Sequence, residues 1–174
     1  MAETVAIIGL GSNLDDPVAQ LQCATERLAT IPGCRLGRCS SLYRTTPVGY
    51  DQQPDFYNAV CQLFTSLDPQ QLLALLQQIE HEQGRRREGH RYGPRTLDLD
   101  LLLFGEDCLD TKDLQLPHPR MHERGFVLYP LQEIMPGLTI PGRGSVTEFL
   151  PGVTEQGVEK LDLELLPGRA GTKD

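Results

Sequence analysis

Apolar residues follow two different spacings along the chain, and each spacing predicts one type of secondary structure. Apolar side chains at every third or fourth position predict two helices, and an apolar segment stopped by a Pro-Gly pair predicts a third. The three helices are predicted over residues 17–31, 68–83 and 126–135. Short β-branched or alternating runs that end at glycine or proline predict strands. The four strands are predicted over residues 4–11, 34–46, 56–67 and 97–104.

The order of these elements predicts the fold. The first six follow as βαββαβ, which is typical of the ferredoxin-like α+β fold, an antiparallel sheet with helices packed mainly on one side. A chain of 174 residues is long enough to bury the core of one domain. We expect a single domain over residues 1–160, with mobile loops over its functional site. We expect a C-terminal tail over residues 161–174, because the sequence becomes acidic and glycine-interrupted after about residue 153.

Two aspartates in the last predicted strand are the first candidates for chemistry. Asp98 and Asp100 alternate with leucines, so both carboxylates should project from one face of the strand while the leucines pack on the other. Residues two positions apart on a strand lie about 6.5–7 Å apart, close enough for carboxylates to bridge divalent cations. The pair could instead belong to the solvated face of a half-exposed strand. The run at residues 101–104 is apolar on both faces, which indicates a central strand and favours the metal site.

A basic segment precedes this strand. It contains five arginines and three glycines and carries a local charge of +4, which leaves −12 for the rest of the chain. The arginines are Arg85, Arg86, Arg87, Arg91 and Arg95. The planar guanidinium group of arginine can donate two parallel hydrogen bonds to two oxygens of one phosphate. A solubilising surface loop is the alternative, but the position beside the aspartates favours a mobile flap over residues 84–95 that closes on a polyphosphate.

The composition narrows the classes of function. The net charge is −8, the sequence pI is near 5.0, tryptophan is absent and aromatic residues make up 6%. A nucleic-acid-binding module of this fold would need a basic face and exposed aromatics, so this composition argues against that alternative. No apolar run reaches the roughly 18 residues that cross a membrane, and the first residues lack the basic region of a signal peptide. Five cysteines without a CxxC pair predict reduced, mostly buried thiols in a cytoplasmic protein.

Several single residues have both a structural and a functional interpretation. Asn58 and Phe126, with Tyr92, could hydrogen-bond and sandwich a flat heterocycle, although such aromatics are also ordinary core residues. His118 lies between two prolines, where a lone histidine usually has a structural role. The segment 11–13 is neither a GxGxxG nor a Walker A motif, so we interpret it as a strand-to-helix turn capped by Asn13.

Five segments together resemble bacterial 6-hydroxymethyl-7,8-dihydropterin pyrophosphokinases. In chain order they are IGLGSNL (8–14), YRTTPVG (43–49), QPDFYNAV (53–60), GPRTLDLDLLLFG (93–105) and LPHPRMHERGFVLYPL (116–131). The resemblance covers about residues 4–150, and the fourth segment is highly specific. Members of this family move the terminal diphosphate of ATP onto the hydroxymethyl group of the pterin and release AMP, which produces a folate precursor.

The resemblance implies a role for each matching residue. Asp98 and Asp100 would hold two Mg²⁺ ions, and Arg85 and Arg95 would be catalytic. The implied ATP site consists of Gln77, Glu80, Arg87, Arg91, Tyr92, Leu101, Gln115, His118 and Arg124. The implied pterin pocket consists of Thr45, Pro47, Val48, Phe56, Asn58 and Phe126. The positions that depart from residues common in the family are Tyr92, Asp113 and Pro119.

The same resemblance implies the partners. They are the small molecules ATP and hydroxymethyldihydropterin, with no nucleic acid and no membrane, and we expect a monomer. Closure of the arginine segment would bring its guanidinium groups onto the phosphates and exclude water. A two-metal phosphotransferase acting on a different hydroxylated heterocycle stays open as an alternative, because the sequence does not reveal the shape of the pocket.

Overall fold

An antiparallel sheet is the frame on which the candidate site is built. The computed structural model describes residues 3–14, 16–46, 54–83 and 97–165. The helices in these residues are α1 (Pro17–Ala29), α2 (Pro69–Gln83), α3 (Gly125–Ile134) and α4 (Val146–Phe149). The strands are β1 (Thr4–Ser12), β2 (Cys34–Cys39), β3 (Ser41–Thr45), β4 (Phe56–Thr65), β5 (Asp98–Phe104), β6 (Leu109–Asp110), β7 (Gln115–Leu116), β8 (Thr139–Ile140), β9 (Gly144–Ser145) and β10 (Val158–Glu164). Short 3₁₀ turns lie at Met121–Glu123 and Leu150–Val153.

The main sheet has the strand order β10-β3-β4-β1-β5, with β2 also paired to β4. All of these pairs are antiparallel, which confirms the predicted α+β class and sheet type. The strand predicted over residues 34–46 is two strands, because Ser40 interrupts it. The Ser40 N–H donates to the Val60 carbonyl (2.9 Å), and the Ser40 hydroxyl accepts from the Val60 N–H (3.0 Å). A side chain thereby takes the place of one main-chain partner.

Side-chain caps begin the two longest helices. Asp16 Oδ1 accepts a hydrogen bond from the Ala19 N–H (3.4 Å), and Pro17 occupies the first turn of α1. Before α2, Asp68 Oδ1 accepts from the Gln71 N–H (2.8 Å), and Gln71 Oε1 accepts from the Asp68 N–H (2.9 Å), which forms a capping box. These bonds satisfy N–H groups that have no partner within the first helical turn.

Helices cover both faces of the sheet. On one face α1 and α2 pack against Ala6, Ile8 and Leu10 of β1. On the other face α3 packs against Ile7 of β1 and Leu102 of β5. This division follows from the alternation of side chains along each strand. The two longest helices share one face, as predicted, and the face on the α3 side holds much of the candidate site.

Strand β5 lies at the edge of the described sheet, so the interpretation of it as a central strand is wrong. In the part of the chain that the structure describes, it pairs with β1 alone. Its outer edge is hydrogen-bonded by other groups. The Glu80 carboxylate accepts from the Leu99 N–H (2.6 Å), and the Leu102 carbonyl accepts from the His118 N–H (2.9 Å). Helix α2 and the segment after β7 therefore cover this edge of β5 in place of a strand. The run at residues 101–104 is apolar because helices pack on both faces of the sheet.

Strand β10 continues the sheet past the residue at which we predicted the domain to end. Val158 pairs with Thr45 and Lys160 pairs with Tyr43 of β3. The strand runs to Glu164, so residues 161–164, which we assigned to the tail, belong to the sheet.

Two other expectations concern the chain as a whole. Each helix in the described ranges is too short or too polar to cross a membrane. All five cysteines are free thiols, but Cys61 is the one that is buried. Cys34 and Cys39 are partly exposed, and Cys23 and Cys108 are exposed. The expectation of mostly buried cysteines is wrong because Cys23 lies on the solvent side of α1 and Cys108 lies in the turn before β6.

Candidate active site

A cavity of about 330 Å³ opens on the α3 side of the sheet, and we call it the α3 cavity. Strands β1, β3, β4 and β5 and the start of α3 contribute to its walls. Its lining residues are Gly9, Leu10, Gly11, Thr45, Thr46, Phe56, Asn58, Ala59, Asp98, Asp100, Arg124, Phe126 and Val127. The described pterin-pocket residues of the sequence prediction, Thr45, Phe56, Asn58 and Phe126, are thus brought together with both aspartates.

Two buried polar atoms of residues that line this cavity have no hydrogen-bond partner among the residues that the structure describes. They are Asn58 Oδ1 and Thr45 Oγ1, and each of the two residues is 9% exposed. The Asn58 amide nitrogen donates to the Leu10 carbonyl at 3.5 Å, the limit of a hydrogen bond. An unsatisfied buried polar group is costly and rare in native proteins. The two atoms are therefore suited to bind the polar edge of a ligand.

Glycines in β1 make the space above the sheet. Gly11 lies opposite Asn58 on one side and opposite Asp98 on the other. A Cβ atom at position 11 would lie 2.7 Å from Asn58 Nδ2, so the amide occupies the place of the missing side chain. The interpretation of segment 11–13 as a turn capped by Asn13 is wrong, because Asp16 caps α1 and Asn13 Nδ2 donates to the Pro54 carbonyl (3.1 Å).

Aromatic and cationic groups form the remaining walls of the α3 cavity. Phe56 begins β4, and Phe126 is the second residue of α3. Both rings are half-buried. The Arg124 guanidinium carbon lies 5.5 Å from the centre of the Phe126 ring, within the range of a cation–π contact. Flat apolar faces next to unsatisfied polar atoms are suited to an aromatic heterocycle.

Asp98 and Asp100 lie on β5 as the alternation predicts. Both are half-buried and line the α3 cavity, whereas the leucines at 97, 99 and 101 are buried in the core on the α1 and α2 side. Gly9 lies opposite Asp100 in β1, and the Leu102 side chain packs over this glycine, 3.2 Å from the place of the missing Cβ atom. The described residues contain no group of three or more potential metal ligands from His, Cys, Asp and Glu. Two carboxylates nevertheless fit Mg²⁺, which is usually held by one or two carboxylates, water and substrate phosphates.

A second cavity, of about 350 Å³, lies against α2, and we call it the α2 cavity. Its lining residues are Leu73, Gln77, Glu80, Leu99, Asp100, Leu101, Lys112, Asp113, Leu114, Gln115, His118 and Pro119. Asp100 is the residue that lines both of these cavities. One predicted metal ligand thus contributes to the walls of two ligand-sized spaces.

Comparison with known proteins identifies the family to which this geometry belongs. The model of the 7,8-dihydro-6-hydroxymethylpterin-pyrophosphokinase (HPPK) family matches residues 7–136. The chain belongs to the HPPK family.

Similar curated proteins carry the corresponding name, 2-amino-4-hydroxy-6-hydroxymethyldihydropteridine pyrophosphokinase. The chain is 47% identical to the Pseudomonas aeruginosa protein over 154 residues, which cover 88% of this chain and 94% of that protein. It is 43% identical to the Haemophilus influenzae protein over 157 residues, which cover 90% and 98%. It is 49% identical to the Bacillus subtilis protein over 130 residues, which cover 75% and 77%.

Solved structures support the fold of this HPPK. An HPPK-DHPS in complex with substrates matches with a TM-score of 0.65 at 14% identity, over 89% of this chain and 44% of that chain. The wild-type Plasmodium falciparum HPPK-DHPS matches with a TM-score of 0.65 at 14% identity, over 88% and 45%. This HPPK therefore spans less than half of those chains, and the similarity concerns the fold alone.

The described members of the predicted ATP site divide between the two cavities. Gln77, Glu80, Leu101, Gln115 and His118 line the α2 cavity. Arg124 lines the α3 cavity instead, because it directly precedes α3. Seven of the predicted residues lie outside the described ranges: Pro47, Val48, Arg85, Arg87, Arg91, Tyr92 and Arg95. The predicted flap at residues 84–95 lies outside them too.

His118 of this HPPK is uncharged near neutral pH. Burial is the main cause that lowers its pKa to about 4, and the positive charges of Arg124, Arg143 and Arg120 lower the pKa further. The Arg120 N–H donates to His118 Nδ1 (3.1 Å), so the ring proton resides on Nε2. The α2 cavity therefore contains a neutral N–H donor.

Some lining residues were not predicted from the sequence. Lys112 and Leu73 line the α2 cavity, and Gly9 and Gly11 make room in the α3 cavity. The spacing of the two glycines could have indicated this, because Gly9 and Gly11 are two positions apart in β1, as Asp98 and Asp100 are in β5. Pairing β1 with β5 places each glycine opposite an aspartate. Lys112 lies between two-residue strands that no periodicity reveals.

Proposed function

We propose that this HPPK-family chain transfers the terminal diphosphate of ATP to the hydroxymethyl group of 6-hydroxymethyl-7,8-dihydropterin. The products would be AMP and the pterin diphosphate, an intermediate of folate biosynthesis. The observation that carries the proposal is that Asp100 lines both the α3 and the α2 cavity. A diphosphate transfer needs an acceptor site and a donor site that meet at the reacting phosphorus, and two adjoining cavities meet this need.

The α3 cavity is proposed to bind the pterin. Its unsatisfied Asn58 Oδ1 and Thr45 Oγ1 would accept hydrogen bonds from the N–H groups of the heterocycle, and Phe56 and Phe126 would pack on its faces. The volume of about 330 Å³ falls in the range of small-molecule pockets.

The α2 cavity is proposed to bind ATP. Gln77, Glu80 and Gln115 would contact the nucleotide, and the neutral His118 would donate its Nε2 proton to an oxygen of the ribose or phosphates. Arg124 would approach the phosphates from the α3 side. Arg85 and Arg95 stay predictions of catalytic residues, and Arg87, Arg91 and Tyr92 stay predictions of ATP contacts.

Asp98 and Asp100 are proposed to hold two Mg²⁺ ions. Bound Mg²⁺ would neutralise the phosphate charge and align the attacking and leaving oxygens. The aspartates fix this position because β5 is held on one side by β1 and on the other by Glu80 and His118. The hydroxymethyl oxygen would then bond to the β-phosphorus and lose its proton to solvent. The bond from that phosphorus to the oxygen of the α-phosphate would break, and AMP would leave on the opposite side with the bonding electron pair on that oxygen.

The reaction products test this proposal. The protein is incubated with ATP, Mg²⁺ and hydroxymethyldihydropterin, and the nucleotides and pterins are separated by chromatography with a mass measurement. We expect AMP and pterin diphosphate in equal amounts, and no AMP when the pterin is omitted. Formation of ADP with a pterin monophosphate, or of AMP without phosphorylated pterin, would contradict the proposal. Cytoplasmic location and a monomeric state stay predictions from the sequence.

A further inference from the structure

The side chain of Gln156 makes two hydrogen bonds to the main chain on either side of Arg124. Gln156 Oε1 accepts from the Gly125 N–H (2.7 Å), and Gln156 Nε2 donates to the Glu123 carbonyl (2.9 Å). Gln156 is half-buried and lies between a 3₁₀ turn and β10. One amide group therefore holds both neighbours of Arg124.

The segment held in this way forms one wall of the α3 cavity. Arg124 has an extended backbone and no side-chain cap of its own, and its carbonyl accepts the first hydrogen bonds of α3 from Val127 and Leu128 (3.0 Å each). Phe126 follows two residues later, with its ring beneath the Arg124 guanidinium. Because the N–H groups at a helix start need external partners, the Gln156 oxygen acts as the cap of α3.

Gly125 is closely packed against Gln156 and Val158. A Cβ atom at position 125 would lie 3.1 Å from Val158 Cγ2 and 3.2 Å from Gln156 Oε1. Glycine at this position thus allows Gln156 and the start of β10 to approach the helix. Val158 in turn pairs with Thr45 on the opposite wall of the cavity. The chain from Gln156 to Val158 therefore connects the α3 wall to the β3 wall.

We propose that Gln156 is a positioning residue for the heterocycle side of the site. It touches no substrate, and it fixes Arg124 and Phe126 at the distance from Thr45 and Asn58 that the heterocycle requires. Gln156 lies outside the residues that match the family model. The inference rests on the proposed function in one respect, because it takes the pterin as the occupant of the α3 cavity.

Substitution of Gln156 by methionine and by glutamate tests the proposal. Gln156→Met removes both hydrogen bonds at nearly constant volume. Gln156→Glu keeps an acceptor for the Gly125 N–H, and a carboxylate is favourable at a helix N-terminus. It loses the donor to the Glu123 carbonyl. Gln132→Met is the matched control, since Gln132 Oε1 also accepts from a glycine N–H (Gly137, 3.0 Å), but at the far end of α3.

The measurements are the KM for each substrate, kcat and the thermal midpoint of each full-length variant. We expect Gln156→Met to raise the KM for the pterin roughly tenfold, as lost hydrogen bonds of ordinary strength imply. The KM for ATP should rise much less, because Arg124 is one of several proposed ATP contacts and the others lie in the α2 cavity. Gln156→Glu should keep the thermal midpoint of the wild type and still raise the KM for the pterin. The Gln132→Met control should keep both KM values.

Three results would overturn the inference. One is a pterin KM in Gln156→Met and Gln156→Glu that changes no more than in the control. Another is a KM for ATP that rises in step with the KM for the pterin. The third, which decides the matter if the methionine variant does not fold, is a stable Gln156→Glu protein with wild-type pterin KM. A wild-type protein that forms no pterin diphosphate would instead contradict the proposed function, so the two failures are distinguishable.

Discussion

Gly11 and Asn58 face each other across β1 and β4, and a Cβ atom at position 11 would lie 2.7 Å from the Asn58 amide nitrogen. A side chain at position 11 and the Asn58 amide in its present position cannot both be accommodated, so the amide would have to move. We therefore expect Gly11→Ala to displace Asn58 and to weaken pterin binding about tenfold or more, since misplacement by one ångström is costly at such a site. Gly152→Ala is the control, because a Cβ atom there would have no neighbour within 4 Å. Calorimetric titration with the pterin measures the effect, and equal affinities of the two variants would contradict the assignment.

Asn58 itself should matter more for binding than for folding. Within the described ranges its Oδ1 has no hydrogen-bond partner, and its Nδ2 has a long hydrogen bond to the Leu10 carbonyl. We expect Asn58→Ala to lower pterin affinity by roughly 1–3 kcal/mol and to change the free energy of unfolding by about 1 kcal/mol or less. ATP affinity, measured without pterin, should stay constant. Pterin affinity equal to that of the wild type would show that the α3 cavity does not bind the pterin through Asn58.

Phe126 provides a comparison within the same cavity. Phe126→Ala should also weaken pterin binding, by roughly 1–3 kcal/mol, through loss of the stacking surface. The position of Phe126 at the start of α3 leaves the α2 cavity unchanged, so ATP affinity should again stay constant. A parallel loss of ATP affinity in calorimetry would contradict the division of substrates between the cavities.

The two aspartates should be required for turnover and not for the fold. Asp98→Asn and Asp100→Asn keep the size of each side chain and remove one charge from the proposed Mg²⁺ site, so we expect each to lose most of kcat. Asp162→Asn is the matched control, because Asp162 is an exposed aspartate in β10 and lines neither described cavity. Rates at saturating Mg²⁺ and circular dichroism spectra check the prediction. Near-wild-type turnover in either variant would refute the metal assignment.

His118 should make stability depend on pH in the acidic range. Its folded-state pKa is lowered from 6.5 to about 4, so below pH 6.5 the unfolded chain takes up a proton that the folded protein does not bind. The stability contribution of the neutral imidazole is therefore present above pH 6.5 and is lost as the pH falls towards 4. We expect His118→Asn to show a shallower decrease in the free energy of unfolding between these values than the wild type.

Denaturant titrations at several pH values measure this effect, with His81→Asn at an exposed position of α2 as the control. A His118→Asn protein with the same slope as the wild type would show that the histidine is not buried as neutral imidazole.

The sequence predicted the parts of this fold that depend on local periodicity. The orientation of Asp98 and Asp100 follows from the alternation of neighbouring residues along the strand, and the structure confirms it. The edge position of β5 was not predicted. An apolar run indicates that both faces of a strand are buried, but it does not indicate how many strands pair with it. The break at Ser40 depends on hydrogen bonds to Val60, which is distant in the chain.

The candidate site shows the same division. Asn58 and Phe126 were predicted as a pair, and the structure brings them into one cavity. The role of Gly11 depends on strand pairing, and that of Gln156 depends on a contact with α3 from 31 residues away, so neither follows from spacing along the chain.

The central claim is that the two substrates occupy two cavities that meet at Asp100. Separate titrations with hydroxymethyldihydropterin and with Mg²⁺ and a non-hydrolysable ATP analogue, followed by proton–nitrogen correlation spectra, test it most directly. The pterin should shift the amide signals of Asn58 and Phe126, and the nucleotide should shift those of Gln77 and Gln115. The Asp100 signal should respond to each ligand separately. If the pterin shifted the α2 cavity signals, or if Asp100 responded to one ligand alone, the account would be contradicted.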